Sequence, residues 1–164
     1  MPKLLITGSG GFLGWNLCQI AHENWKVVGL YRQHASNLPS VDEHQVDLKD
    51  FSKAETTVSS IKPDAIIHTA AFSNNNALQK DPAQGFLINV EVSEMLAGQA
   101  AAMGIPFIFT STDLVFDGRE GMYREDDEVN PITHYGEQKA EAEERILEVN
   151  DSACICRMPL MQIG

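Results

Sequence analysis

The sequence is short of cysteine and of positive charge. It contains three cysteines among 164 residues, and its 12 lysines and arginines face 23 aspartates and glutamates, which gives a formal net charge of −11. Three thiols do not build a disulfide scaffold, and a chain of this length buries enough surface to fold without one. No run of basic residues marks a footprint for nucleic acid or anionic membranes. We therefore expect no nucleic-acid partner and no membrane partner.

Two further absences concern location and metals. The N-terminal segment MPKLLITG passes from a short apolar run directly into glycines, too early for a signal peptide or a membrane span, so we expect a cytoplasmic protein. The five histidines form neither an HExxH pattern nor a histidine–cysteine ligand spacing, and no metal site is predicted. Cys154 and Cys156 alternate along a predicted strand, and we expect both to be small apolar residues on one buried face.

Apolar runs of strand length alternate with helical patterns along the whole chain. The predicted strands cover residues 3–7, 26–31, 44–47, 64–70, 106–110 and 153–158, and the predicted helices cover about 13–23, 50–61, 82–103 and 135–149. Repeated strand–helix alternation predicts a doubly wound parallel α/β sheet of about six strands, Rossmann-type, in a single domain spanning residues 1–164. The long loop at about 112–134 is the connection most typical of a functional segment.

A glycine-rich turn follows the first predicted strand. In TGSGGFLG, Gly8, Gly11 and Gly14 are spaced G-x-x-G-x-x-G between a strand and a helix. Glycines allow the backbone to approach a pyrophosphate closely, and a helix N-terminus offers free N–H groups and partial positive charge. The turn therefore predicts dinucleotide binding. Its position after the first strand of an α/β pattern favours this interpretation over an ordinary turn.

The end of the second predicted strand indicates which dinucleotide binds. NAD-binding proteins usually place a carboxylate there for the ribose 2′-hydroxyl, some 20 residues beyond the glycines. This sequence has GLYRQ at that point, so Arg32 replaces the acid. A guanidinium would pair with a 2′-phosphate, which favours NADP, with NAD as the alternative.

Tyr135 precedes Lys139 by four residues at the head of an acidic helical pattern, ITHYGEQKAEAEERIL. Residues at i and i+4 lie one above the other on a helix, so the spacing alone does not separate a catalytic pair from two neighbours on one face. The motifs elsewhere in the chain decide between the two interpretations.

Together these motifs resemble the extended short-chain dehydrogenase/reductases, and within them the dTDP-4-dehydrorhamnose reductase group. The resemblance covers essentially the whole chain. The motifs that carry it are TGSGGFLG, VDLKD at 46–50, IIHTAA at 66–71, INV with Asn89, TSTDLVFDG at 110–118, YREDDEVNPITHYGEQKAEAE at 123–143 and CRMPLMQIG at 156–164.

The resemblance implies a nucleotide-sugar oxidoreductase with Thr112, Tyr135 and Lys139 as catalytic residues. Tyr135 would give its proton to a carbonyl oxygen as hydride arrives, the Lys139 ammonium would lower the pKa of that phenol, and the Thr112 hydroxyl would polarise the carbonyl. The cofactor-binding positions that it implies are Gly8, Gly11, Phe12, Leu13, Gly14, Arg32, Asp47, Leu48, Ala70, Ala71, Asn89, Tyr135 and Lys139.

Two departures from the family limit what the resemblance implies. Leu114 follows Thr112 and Asp113 where related dehydratases have glutamate and the reductase group has tyrosine, so dehydration is disfavoured and the exact sugar stays open. Family members also continue for roughly another domain, and we expect this chain to be truncated before the substrate domain.

The expected function is NAD(P)H-dependent reduction of a 4-keto nucleotide sugar. The alternatives are an epimerase and a cofactor-binding regulatory subunit resembling the methionine adenosyltransferase β subunit. A homodimer and a partner enzyme are both open.

Overall fold

Six parallel strands form one sheet in the computed structural model, which describes residues 1–159. The strands are β1 (Lys3–Thr7), β2 (Lys26–Tyr31), β3 (Val41–Gln45), β4 (Ala65–His68), β5 (Phe107–Thr112) and β6 (Cys154–Met158). Their order across the sheet is β3-β2-β1-β4-β5-β6, and every neighbouring pair is parallel. This doubly wound order confirms the predicted Rossmann-type fold.

Helices connect the strands and cover the sheet. They are α1 (Phe12–Ala21), α2 (Phe51–Ile61), α3 (Asn75–Lys80), α4 (Pro82–Phe86), α5 (Val92–Met103) and α6 (His134–Val149). A π-helical turn, Leu87–Glu91, joins α4 to α5. A 3₁₀ turn at Asp113–Val115 follows β5. Among the helices of residues 1–159, none combines the length and the apolar character that crossing a membrane requires.

Two apolar layers hold the helices against opposite faces of the sheet. One layer packs Leu5 and Phe109 of the sheet against Leu96 and Ile146 of α5 and α6. The other contains Leu4 of β1 and Cys18 of α1. Central strands are buried on both sides, so their sequences are continuous apolar runs rather than alternating patterns.

The structure changes several predicted boundaries. The third strand is Val41–Gln45 rather than 44–47, because β3 is an edge strand and needs few apolar residues. The helix predicted at 82–103 contains the π-helical turn, and α3 was not predicted because its six residues, NNALQK, include only two adjacent apolar ones and so show no apolar period. Cys154 is exposed and Cys156 half-buried, contrary to expectation, because β6 is the other edge and turns Ile155 to the core. Residues 160–164 of the motif CRMPLMQIG lie outside the described residues.

The point where the strand order reverses lies between β1 and β4. β1 connects through α1 to β2 on one side, whereas β4 continues the sheet on the other side towards β6. In open parallel sheets the crevice at such a switch point, beyond the carboxyl ends of the strands, is where ligands bind. The loops after β1, β2, β4 and β5 all open at this edge.

Candidate cofactor and active site

A cleft of about 570 Å³ opens at the carboxyl edge of the sheet. It takes lining residues from the segments after β1, β2, β3, β4 and β5 and from the start of α6. Of the residues predicted for the site, those that line it are Gly8, Gly11, Phe12, Leu13, Gly14, Arg32, Asp47, Leu48, Ala70, Ala71, Thr112 and Tyr135. Asn89 and Lys139 are not among the lining residues. One cleft therefore collects segments that are more than 120 residues apart in sequence.

The turn after β1 has no room for side chains at two of its glycines. Gly8 has φ +73°, and a Cβ there would lie 2.9 Å from the Ala70 nitrogen. A Cβ on Gly14 would lie 2.1 Å from the carbonyl oxygen of Gly8. The neighbours in both cases are backbone atoms, which cannot move aside as a flexible side chain can. The glycines therefore let α1 pack directly on the turn at the floor of the cleft.

The N-terminus of α1 points at the cleft with its donors available. Gly11 is the N-cap, and within the described residues no side chain caps the helix and no acidic residue occupies its first turn. Gly11, Phe12 and Leu13 line the cleft. Free N–H groups and the positive end of the helix dipole attract phosphate oxygens. The donor set at this end of the cleft fits a dinucleotide pyrophosphate.

The side of the cleft beyond β2 carries a basic residue. Arg32 is exposed and lines the cleft, and its backbone oxygen accepts a hydrogen bond from Gln45 Nε2 at 2.9 Å. Asp47 also lines it and lies 3.7 Å from Lys49 Nζ. Leu48 is buried beneath. A cation at the end of β2 beside an apolar floor suits an adenosine that carries a 2′-phosphate.

Glu43 supports this side of the cleft, and sequence reasoning missed it. Its carboxylate accepts hydrogen bonds from Ser9 Oγ at 3.2 Å, from the Ser36 backbone nitrogen at 2.8 Å and from the Asn37 backbone nitrogen at 3.1 Å. The contacts join the glycine turn to the loop that follows Arg32. In the sequence, Glu43 is one of several polar residues in a short edge strand. Acidic residues are common in such strands, so nothing in the sequence marked this one as part of the site.

Asn89 lies beneath the cleft and holds its wall from behind. Its side chain accepts from the Phe72 nitrogen at 2.7 Å, donates to the Phe72 oxygen at 3.0 Å and donates to Gln138 Oε1 at 2.9 Å. The segment that it holds includes the cleft-lining Ala70 and Ala71. We had predicted a cofactor contact for Asn89, and the structure gives it instead a buried position with contacts to the wall behind the cleft.

Buried hydrogen bonds connect Asn89 through Ser93 and His68 to Thr7. His68 Nδ1 lies 2.6 Å from Thr7 Oγ1, and its Nε2 lies 3.0 Å from Ser93 Oγ. Because the Ser93 hydroxyl donates to the Asn89 carbonyl, it accepts from His68, which places the imidazole proton on Nε2. Burial lowers the pKa of His68 to about 3, so the ring is neutral. Sequence reasoning did not find His68, since it lies in a buried apolar strand and nothing local marks its partners.

Thr112 and Tyr135 both line the cleft on the side of β5 and α6. Thr112 ends β5, and its hydroxyl oxygen accepts a hydrogen bond from the Leu114 nitrogen at 3.2 Å. Tyr135 lies in the first turn of α6, which Thr133 caps through the Gly136 nitrogen. A Cβ on Gly136 would lie 2.2 Å from the Leu114 carbonyl oxygen, so glycine lets α6 approach the end of β5. Burial raises the pKa of Tyr135.

Lys139 is buried and does not line the cleft. Its Nζ donates to the Thr110 carbonyl oxygen at 2.7 Å and lies 3.8 Å from the centre of the Phe109 ring. Burial lowers the pKa of Lys139 to about 7, and the charge of Glu143 opposes that fall. We had expected the ammonium to lower the pKa of the Tyr135 phenol. The structure instead places the Lys139 Nζ on the Thr110 carbonyl, and burial raises the pKa of Tyr135, so the effect of the lysine on the phenol stays a prediction.

A parallel α/β sheet with an open helix N-terminus and a glycine turn at its switch point defines a protein of the Rossmann-type dinucleotide-binding class. The family comparison is more specific. Residues 2–161 match the family described as RmlD substrate binding domain, and the chain belongs to this family.

Known proteins of two kinds resemble the chain. Methionine adenosyltransferase 2 subunit beta of Xenopus tropicalis is 36% identical over 160 residues, which are 97% of this chain and 47% of that protein. The dTDP-4-dehydrorhamnose reductase of Aggregatibacter actinomycetemcomitans is 32% identical over 158 residues, 96% of this chain and 51% of that enzyme. The solved dTDP-4-dehydrorhamnose reductase of Bacillus anthracis in complex with NADP superposes with a TM-score of 0.82 at 25% identity, covering 96% of this chain and 53% of that one. The chain thus spans about half the length of the curated relatives that it matches.

Proposed function

We propose that the chain is the cofactor-binding part of an NADPH-dependent reductase acting on a 4-keto nucleotide sugar. The single observation that carries the proposal is that one cleft receives both the glycine turn and the Thr112–Tyr135 pair. A proton donor then stands at the opposite end of a phosphate-binding cleft, where the nicotinamide of an extended dinucleotide would lie. Similarity to dTDP-4-dehydrorhamnose reductases supports the substrate class.

The residues present fit NADP. The uncapped N-terminus of α1 would receive the pyrophosphate, and Arg32 would receive the 2′-phosphate. The solved relative from Bacillus anthracis contains NADP, which supports the same choice here. NAD is the alternative, with the ribose hydroxyls facing Asp47. When bound, the reduced nicotinamide supplies hydride to the carbonyl carbon.

The chain's own residues then have distinct tasks. Tyr135 delivers its phenolic proton to the carbonyl oxygen, and a raised pKa keeps that proton in place until negative charge develops on the substrate. The Thr112 hydroxyl, which donates to Asp113 Oδ1 at 3.2 Å, would exchange that hydrogen bond for one to the same carbonyl oxygen. Lys139 reaches the ribose hydroxyls only after its hydrogen bond to the Thr110 carbonyl is exchanged. Leu114, which is partly exposed in the cleft, would contact the sugar as an apolar wall.

The test uses this chain and a longer form carrying the sequence that follows it in its source. Both are titrated with NADPH and NADH, and oxidation of NADPH is followed with dTDP-4-keto sugars and simple ketones. We expect both forms to bind NADPH and the longer form alone to turn over nucleotide sugars rapidly, because positioning of the substrate contributes about 7 to 11 kcal/mol to lowering a barrier. A longer form that binds NADPH but reduces none of the keto sugars would refute the reductase proposal.

A second candidate is a regulatory subunit of another enzyme. The observation that favours it is the 36% identity to methionine adenosyltransferase 2 subunit beta. In that case the dinucleotide bound in the cleft would stabilise the subunit or regulate its partner. Lys139 would keep its hydrogen bond to the Thr110 carbonyl, because no catalysis would require it to move. Co-purification with a methionine adenosyltransferase catalytic subunit discriminates between the reductase and the regulatory subunit. A Glu141→Gln variant of this chain serves as the control for a change of surface charge. Stable complex formation together with absent turnover would favour the subunit.

A further inference from the structure

A buried carboxylate lies one helical turn beyond Lys139. Glu143 is 5% exposed and follows Lys139 at i+4 on α6, so both side chains lie on the same face of the helix. Arg157 donates to its two carboxylate oxygens, from Nη2 at 2.7 Å and from Nε at 3.1 and 3.2 Å. The Ser111 hydroxyl is a further donor to the same carboxylate. A buried carboxylate with this many hydrogen-bond donors is held in one position in the protein interior.

These contacts join the elements that carry the candidate catalytic residues. Ser111 lies between Thr110, whose carbonyl receives Lys139, and Thr112 at the end of β5. Arg157 comes from β6, where it pairs in register with Ser111, and its Nη1 donates to the Glu125 carbonyl in the long loop at 3.1 Å. The carboxylate thus connects α6, β5, β6 and the long loop at one point.

The charges around Lys139 come from three elements. Tyr135 and Glu143 lie on the same helix, His68 lies on β4 and is neutral, and Arg157 lies on β6 behind Glu143. Among these groups, Glu143 provides the negative charge. An ammonium that loses its water needs such a charge, because an uncompensated buried cation costs several kcal/mol.

We propose that Glu143 is a positioning residue for Lys139. Held by Ser111 and Arg157, its carboxylate fixes α6 against β5, favours the charged form of Lys139 and keeps its Nζ directed at the Thr110 carbonyl. The inference rests on the proposed function, in which Lys139 exchanges that carbonyl for the cofactor ribose. A merely structural ion pair between Glu143 and Arg157 would stabilise the fold but leave the titration of Lys139 unchanged.

The decisive measurement follows Lys139 by NMR in protein labelled with ¹³C at lysine Cε. The signal is assigned by its loss in Lys139→Arg, and its titration midpoint is compared between the wild type, Glu143→Gln and the control Glu141→Gln. Glu141 lies on the same helix, is half-buried and pairs with Arg145 at 2.7 Å, so the control makes the same change of charge away from the buried Glu143. We expect Glu143→Gln to lower the Lys139 midpoint by about one pH unit or more, and the control to leave it unchanged.

An unchanged Lys139 midpoint in folded Glu143→Gln would overturn the proposal. If this variant fails to fold because Arg157 is left unpaired, the double variant Glu143→Gln/Arg157→Gln removes both charges. A downward shift smaller than in the single variant is then expected, because loss of the more distant Arg157 cation partly opposes loss of the carboxylate. A second readout is the pH dependence of NADPH affinity. Between the wild type and Glu143→Gln, the midpoint of this dependence should shift in the same direction as the NMR titration midpoint of Lys139. Loss of NADPH binding by the wild type would refute the proposed function, whereas the NMR titration would still decide the role of Glu143.

Discussion

The two ends of the cleft are built by different means. At the α1 end, backbone atoms form the site: glycines bring the helix onto the turn, and the ligand-facing groups are main-chain N–H donors. At the α6 end, side chains form it: Ser111 and Arg157 donate to Glu143, and Lys139 donates to the Thr110 carbonyl next to Ser111. A backbone site tolerates almost no change at its glycines. A side-chain site depends on charges and can be adjusted one contact at a time.

The largest expected effect is at the backbone end. In Gly14→Ala the new Cβ would lie 2.1 Å from the Gly8 carbonyl oxygen, and neither backbone segment can yield without moving α1. We expect a loss of about 3 kcal/mol in the free energy of unfolding and no measurable dinucleotide binding. Urea denaturation and NADPH titration measure the two effects. Gly121→Ala is the control, since a Cβ there meets nothing within 4 Å. Equal stability of the two variants would show that the turn is not close-packed.

The next effect belongs to the side-chain end. In a longer form that turns over, Tyr135→Phe removes only the phenolic oxygen, so we expect kcat to fall roughly a hundred-fold while NADPH affinity is nearly unchanged. Steady-state kinetics and a cofactor titration separate the two quantities. Tyr123→Phe serves as a control, because Tyr123 donates to Asp117 in the long loop and stacks on Phe116. Near-normal turnover in Tyr135→Phe would eliminate this residue as the proton donor.

A smaller effect concerns cofactor choice. If Arg32 pairs with the 2′-phosphate, Arg32→Ala should lose most of the preference for NADPH over NADH, about ten- to a hundred-fold in affinity. The measurement is the ratio of the two dissociation constants. Raised salt should weaken NADPH binding more than NADH binding, because a 2′-phosphate adds charge. Arg119→Ala, which changes an exposed arginine of the long loop, provides the matched control. Equal affinity of the wild type for both cofactors would contradict the assignment.

The smallest expected effect is a pH dependence of stability. The pKa of Lys139 is about 7 in the folded protein, below its usual value of 10.5, so the unfolded chain binds more protons between these pH values. The contribution of Lys139 to the free energy of unfolding therefore rises with pH across this window and is lost as pH falls through about 7.

This effect is isolated by comparison with Lys139→Met. Between pH 7 and 9 the stability of the wild type should gain about 2 kcal/mol relative to the variant. Urea denaturation at several pH values measures the difference between the two proteins, which cancels the titration of shared groups. A constant difference would mean that Lys139 keeps an ordinary pKa.

The backbone end was also the easier one to predict. The glycine spacing and Arg32 lie in short segments of sequence next to predicted strands, and the parallel sheet followed from strand–helix alternation. The side-chain network was not predictable, since its contacts join residues 14 to 32 positions apart with no local pattern. Glu143 itself looked like one more charge on an acidic helix. The inward position of Lys139 was missed for the same reason: its partners are a carbonyl and a ring on β5.

The π-helical turn at Leu87–Glu91 gives the chain one helical segment that can lose a residue without turning its neighbours. Such a turn holds an extra residue, so removing one residue restores a regular α-helix while the segments on either side keep nearly the same rotation about the helix axis. Gly85, which packs closely on Leu78 and Gln138, would then keep its place. A deletion inside a regular α-helix instead rotates one flank by about 100° relative to the other. In a library of one-residue deletions, those within 87–91 that spare Asn89 should therefore be among the best tolerated of any in a helix.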